Sequence, residues 1–151
     1  MADLKATNGS SRYDDAFNVL QDMTKKAEAL RAGDEQTRDA LISDCFKMVA
    51  ALETPGEMLT RIMWTHTVNP SLLRLANDMN LFDKLKSHTG SSVTTAELTK
   101  PEGLDPKLVR KVLKNLATFY AVREVEADTW APNDFSNSMA DQASKETLAL
   151  L

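Results

Sequence analysis

Three prolines in this chain directly follow helix-capping side chains, and they divide it into helical segments before any other signal is needed. Thr54-Pro55, Asn69-Pro70 and Asp105-Pro106 each place a side-chain acceptor ahead of a ring whose fixed φ suits a first helical turn. Glu57, three residues after Thr54, completes a capping box. Around these points apolar residues recur at three- and four-residue steps, the period of a helix with one buried face. Phe17, Leu20, Met23, Ala27 and Leu30 make one stripe, on a helix that Gly33 ends. Asp34 is placed to cap a second helix, with Leu41, Cys45, Met48, Val49 and Leu52 as its stripe. Ile42, Phe46 and Ala50 widen that face beyond what one neighbour needs. Met58, Leu59, Ile62, Met63 and His66 share one side of a third helix. Asn69-Pro70 predicts a separate helix through Leu72, Leu73, Ala76 and Met79, and Leu81, Phe82 and Leu85 a short one after it.

Beyond Gly90 the pattern changes. Ser91-Ser92-Val93 suits a short strand, Thr94 or Thr95 caps a short helix through Leu98, and Lys100-Pro101-Glu102-Gly103 breaks it. The helix opened by Asp105-Pro106 spaces Leu108 or Val109, Val112, Leu113, Leu116 and Tyr120 for a core face. Residues 121–126 and 129–131 read as a hairpin turned at Ala127-Asp128, with Trp130 as its packing anchor. Helix, turn, helix and hairpin in that order predict a winged helix. Asn133 is placed to cap one more short helix, and residues 145–151 read as a helix cut while gathering an apolar face. The expectation is a mainly α chain in four parts. Residues 1–12 form a polar, disordered arm, 13–90 a helical dimerisation segment, 91–132 a winged-helix unit, and 133–151 the start of linker helices.

Several chemistries are excluded by content. One cysteine, Cys45, permits no internal disulfide and fits a reducing compartment, so a soluble cytoplasmic protein is expected. That cysteine and two distant histidines provide no metal cluster. No apolar run approaches a membrane span, and a net charge of -4 is wrong for a general polyanion binder. The five glycines stand at 9, 33, 56, 90 and 103, too far apart for the Gly-x-Gly turn of a nucleotide-type cofactor site, and no βαβ alternation accompanies them. We therefore assign no catalytic, cofactor-binding or metal residue within the chain.

From Pro55 to Ser138 an ordered set of segments resembles the N-terminal region of plant-type O-methyltransferases, above all the fungal polyketide branch. The segments are Ala76 to Asp83 (ANDMNLFD), Val93 to Leu98 (VTTAEL), Leu104 to Ala117 (LDPKLVRKVLKNLA), Arg123 to Glu126, and Trp130 to Ser136 (WAPNDFS). Asn80 stands where that family usually has glycine, and asparagine also tolerates positive φ. The resemblance implies a module that dimerises and caps a substrate pocket. S-adenosylmethionine and the general-base histidine would belong to a separate domain of a full-length parent. It implies a homodimer or a partner methyltransferase chain, an aromatic polyketide-like small molecule, and neither nucleic acid nor membrane as partner. The residues expected at the dimer interface are Phe17, Leu20, Met23, Leu41, Met48, Leu52, Met58 and Ile62. Trp64 and His66 are candidates for a substrate-pocket rim, against the plainer reading of His66 as a buried, hydrogen-bonded histidine.

Two other functions fit parts of the pattern. A stand-alone methyltransferase-like cyclase or small-molecule binder would need an apolar cavity lined by Trp64 and His66. A winged-helix regulator would use Lys107, Arg110, Lys111 and Lys114 on DNA, but Glu124, Glu126 and Asp128 put acid on the hairpin that would lie along the phosphates.

Overall fold

A computed structural model describes the backbone from Gly9 to Leu150 and the side chains from Tyr13 to Leu150, except those of His66 and Glu102. The order is α1 (Gly9–Arg31), α2 (Thr37–Leu52), α3 (Pro55–Asp78), α4 (Leu81–Lys86), β1 (Val93–Thr94), α5 (Thr95–Thr99), a 3-10 turn (Lys100–Glu102), α6 (Pro106–Thr118), β2 (Arg123–Glu126), β3 (Thr129–Ala131), α7 (Asp134–Met139) and α8 (Gln142–Ala149). The fold is mainly α with one small sheet, as expected. Packing divides it into two units, up to Ile62 and from Met63 onward.

The first unit is built on the α1–α2 hairpin. Helix α1 starts at Gly9, inside the segment expected to be a polar arm, while residues 1–8 lie outside the described residues. Asp34 does not cap α2, whose N-cap is Gln36. Its carboxylate instead accepts from Gln36 N at 3.1 Å, and its carbonyl accepts from Thr37 Oγ1 at 2.7 Å. This local turn satisfies backbone groups that the first helical turn leaves free. The less exposed positions of α1 are 16, 19, 23, 26, 29 and 30, and those of α2 are 37, 41, 44, 48 and 51. With Ala29 set aside, both series alternate steps of three and four, the spacing of a coiled-coil seam. The single stripe expected on α1 is thus divided. Met23 and Leu30 are half-buried, whereas Phe17, Leu20 and Ala27 lie outside the seam and are exposed.

The start of α3 is the expected capping box. Thr54 N donates to Glu57 Oε2 at 2.8 Å, and Glu57 N donates to Thr54 Oγ1 at 3.4 Å. The separate helix expected from Asn69-Pro70 does not form, because Pro70 lies inside α3. A proline there removes one backbone donor and crowds the carbonyl four residues back, yet helical residues on both sides hold the segment in line. Ser71 Oγ donates to Thr67 O at 3.2 Å, supplying a polar partner next to the gap.

The second unit holds the core. Phe82, Leu81, Leu85, Leu98, Leu113, Leu116 and Trp130 are fully buried, with Leu72, Leu73 and Phe119 packed against them. Helix α6 supplies Val109, Val112, Leu113 and Leu116 from one face, whereas Leu108 is exposed and Tyr120, expected on that face, lies past the end of the helix at Thr118 and is exposed. The sheet is antiparallel throughout, in the order β1-β3-β2, with Val93 opposite Trp130 and a bulge between Glu124 and Glu126. Trp130 anchors the hairpin as expected: it is buried, and its Nε1 donates to Thr95 Oγ1 at 2.8 Å. Capping side chains set the element starts. Thr94, not Thr95, caps α5 in a reciprocal box with Glu97. Asp105 accepts from Lys107 N at 2.9 Å, and Asn133 Oδ1 accepts from Ser136 N at 2.9 Å. Asn80 adopts φ 54°, the left-handed conformation for which glycine is the usual residue.

Candidate interaction surface

The hairpin of α1 and α2 buries little apolar surface of its own. Among its described residues only Ala16 and Asp44 are buried. Outside the seam, Tyr13, Phe17 and Leu20 follow one another along α1 at helical spacing, 56%, 59% and 51% exposed. Ile42, Phe46, Val49 and Leu52 do the same on α2, with Phe46 66% exposed. Leaving a row of large side chains in water forgoes about 1.5–3 kcal/mol each relative to full burial. Isolated exposed apolar residues are ordinary, but contiguous rows on two paired helices make a candidate interaction surface.

The residues expected at a dimer interface therefore fall into two groups. Phe17, Leu20, Leu52, Met58 and Ile62 are exposed. Met23, Leu41 and Met48 are half-buried at seam positions of the hairpin. Trp64 is 60% exposed, beside Met63 at 63%, and the His66 side chain lies outside the described residues.

Charge within the hairpin is concentrated at one point. Asp44, 3% exposed, accepts a short hydrogen bond from Lys26 Nζ across the seam and another at 2.8 Å from Lys47 Nζ on its own helix. These two bonds, Lys26 first, hold the Asp44 carboxyl below its ordinary pKa against the opposing effect of desolvation, and the bond to Asp44 raises Lys26. Arg61 grips Glu53 with two bonds of 2.6 and 3.0 Å, tying the start of α3 to the end of α2.

In the second unit, two of the four cations on the α6 face expected for DNA are engaged by the hairpin. Arg110 Nε meets Asp128 Oδ1 at 2.5 Å, and Lys114 Nζ lies 3.7 Å from Glu124 Oε1. The open hollows of the second unit include two larger than about 350 Å³. One, of about 550 Å³, is bordered by Tyr120, Val122, Arg123, Glu124 and Asp134. The other, of about 380 Å³ and mostly apolar, lies among Leu73, Phe135, Met139, Thr147 and Leu148. Among the described residues no cluster of metal-ligating side chains occurs, and no helix is long and apolar enough to cross a membrane.

The described residues do not suit a nucleotide-type cofactor. The sheet is antiparallel, and none of its strands runs through a glycine turn into a helix. Gly33, Gly90 and Gly103 occupy left-handed positions in turns that follow helical segments.

No family model matches the chain. Curated fungal proteins do. O-methyltransferase mpaG of Penicillium roqueforti is 25% identical over 123 residues, covering 82% of this chain and 31% of the relative. Methyltransferase cfoC of Aspergillus candidus is 29% identical over 98 residues, 65% of this chain and 24% of the relative. Among solved structures, LepI in complex with SAM aligns with a TM-score of 0.72 at 19% identity, over 89% of this chain and 34% of that one. OxaC in complex with SAH and oxaline aligns with a TM-score of 0.71 at 16% identity, over 86% and 33%. A pericyclic reaction enzyme aligns with a TM-score of 0.71 at 20% identity, over 87% and 34%. The chain spans about a quarter to a third of the length of these two curated relatives, 31% and 24%. By sequence it resembles part of fungal O-methyltransferases, and by fold part of the LepI and OxaC structures.

Proposed function

We propose that this chain is the dimerisation and substrate-capping module of a fungal-type O-methyltransferase, contributing surface and pocket wall rather than methyl-transfer chemistry. The observation that carries the reading is the pair of apolar rows on α1 and α2, with Phe17, Leu20, Phe46 and Leu52 all about half exposed or more. Rows of this kind suit a second copy, because an isologous contact needs a patch that is complementary to itself. S-adenosylmethionine would be held by another domain of a longer parent. The reading rests on the likeness to SAM-bound LepI and SAH-bound OxaC together with the unsuitable glycines of this chain. Met58, Ile62 and Trp64 on α3 are the residues we assign to the partner or substrate side of the module.

Light scattering after gel filtration, over a dilution series, tests it. The expected result is a mass of twice 16.7 kDa that persists on dilution, and a mass of 16.7 kDa for Phe17→Ser combined with Phe46→Ser. A wild-type chain that is folded and monomeric at every concentration would remove the dimerisation role.

Non-methylating chemistry on a small molecule is a second reading, favoured by the likeness to a pericyclic reaction enzyme. It predicts that an aromatic polyketide quenches the exposed Trp64 in the wild-type chain and has no effect in Trp64→Phe. A winged-helix regulator has less support, since Arg110 and Lys114 already have acidic partners. Unchanged mobility of duplex DNA at low salt would dispose of it.

A further inference from the structure

The seam between α1 and α2 contains a charge that stability alone does not call for. Aliphatic side chains at 26 and 44 would pack as well or better, because a buried ion pair often does no more than offset the cost of desolvating it. Around the pair the seam positions are apolar: Val19, Met23 and Leu30 on α1, and Leu41, Met48 and Ala51 on α2. A seam made only of such residues accepts many partners, since any helix with the same spacing fits it. The hairpin also presents further apolar rows to solvent, so wrong pairings between copies are an immediate hazard.

The charges distinguish those pairings. A parallel, in-register pair of α1 helices from two copies sets Lys26 against Lys26, and a pair of α2 helices sets Asp44 against Asp44. An antiparallel pair of α1 helices centred on Met23 leaves each Lys26 facing apolar residues. Only α1 against α2 brings Lys26 to Asp44, which is the contact observed. Lys47 is on the same helix as Asp44 and accompanies it in every pairing, so it does not discriminate. We propose that the Lys26–Asp44 pair is a pairing-specificity element: it makes α2, and no second α1, the seam partner of α1. A single polar seam position that trades stability for partner choice is established physics of paired helices.

The test uses the 151-residue chain with both charges replaced, Lys26→Leu with Asp44→Leu, beside a reversed set, Lys26→Asp, Asp44→Lys and Lys47→Glu. Light scattering compares each with the wild-type mass, whichever mass that is, so the outcome is independent of the dimerisation reading above. Spin labels at the exposed Gln21→Cys and Asp39→Cys, in a Cys45→Ser background diluted with unlabelled chain, report the α1–α2 spacing. The doubly apolar variant is expected to add species heavier than wild type and a second distance population. The reversed variant is expected to keep the wild-type mass and one distance. An apolar variant indistinguishable from wild type by both measures would overturn the proposal, as would a reversed variant that associates; the second result is available even if the apolar variant fails to fold.

Discussion

Tyr120 ends α6 in a conformation that L-residues avoid. Its φ is +62°, and its side chain is 84% exposed, so little packing compensates the strain. The backbone explains the need. Ala121 N donates to Leu116 O at 3.0 Å and Tyr120 N to Ala117 O at 3.1 Å, the two bonds of a Schellman motif, whose turning residue must be left-handed. Leu116 and Ala121 are both buried, which supplies the apolar contact that accompanies the motif. For a residue with a Cβ the left-handed region costs roughly 1–2 kcal/mol, and glycine removes that cost. Glycine also loosens the unfolded chain, which takes back about 0.4–1 kcal/mol. The net expectation for Tyr120→Gly is a stabilisation of about 0.5–1 kcal/mol. At about 4–8 °C per kcal/mol for a unit of this size, the melting temperature should rise by about 2–8 °C. Tyr120→Ala is the control, since it removes the same ring but keeps the Cβ and the strain. Thermal unfolding followed by circular dichroism decides it: if Tyr120→Gly melts no higher than Tyr120→Ala, the reasoning from positive φ is wrong.

Trp130→Phe keeps a ring in the core but leaves Thr95 Oγ1 without its indole donor, and should cost about 1–3 kcal/mol in urea unfolding. Asn133→Ala loses the reciprocal cap of α7 and the 2.8 Å bond that Asn133 Nδ2 gives to Tyr120 O, and should destabilise by about 0.5–2 kcal/mol by the same assay. Because the Asp44 carboxyl is held below its ordinary pKa, the stability it contributes is present above that ordinary value and lost as pH falls through the lower, folded-state one. Melting curves between pH 6 and about 2 should therefore fall less steeply for Asp44→Asn than for wild type; equal slopes would show that the clamp is not linked to folding.

What could be read from the residues was mostly local. Thr54, Thr94, Asp105 and Asn133 form their caps in the structure because a cap involves only the next three residues. The core face of α6 was legible for the same reason, since one strong stripe has one solution. Pro70 misled, because a cap-proline pair signals a start only where the preceding residues are not already helical, and here α3 arrives intact. The α1 stripe misled differently. Positions 16, 19, 23, 26 and 30 share Met23 and Leu30 with the more apolar series 17, 20, 23, 27 and 30 and differ from it by one residue elsewhere, and Lys26 does not look like a seam residue until Asp44 is beside it. Reading Lys26 seven residues after Val19 and three after Met23, and Asp44 three after Leu41 and four before Met48, was the available signal. Trp64 and the outer rows are exposed in the single chain, and the roles proposed for them depend on a partner.

Strand β2 forms one open edge of the sheet, and β1, only two residues long, forms the other. Arg123, Glu124 and Glu126 are exposed along β2, and the bulge between the two glutamates breaks its regular ladder. A charged, irregular edge is a poor template for another backbone, and a two-residue edge is too short to be one. Recruitment by strand addition is therefore closed to this molecule at both ends of its sheet. Side-chain contacts, where fit and charge can select among partners, are thereby favoured over backbone pairing at those edges.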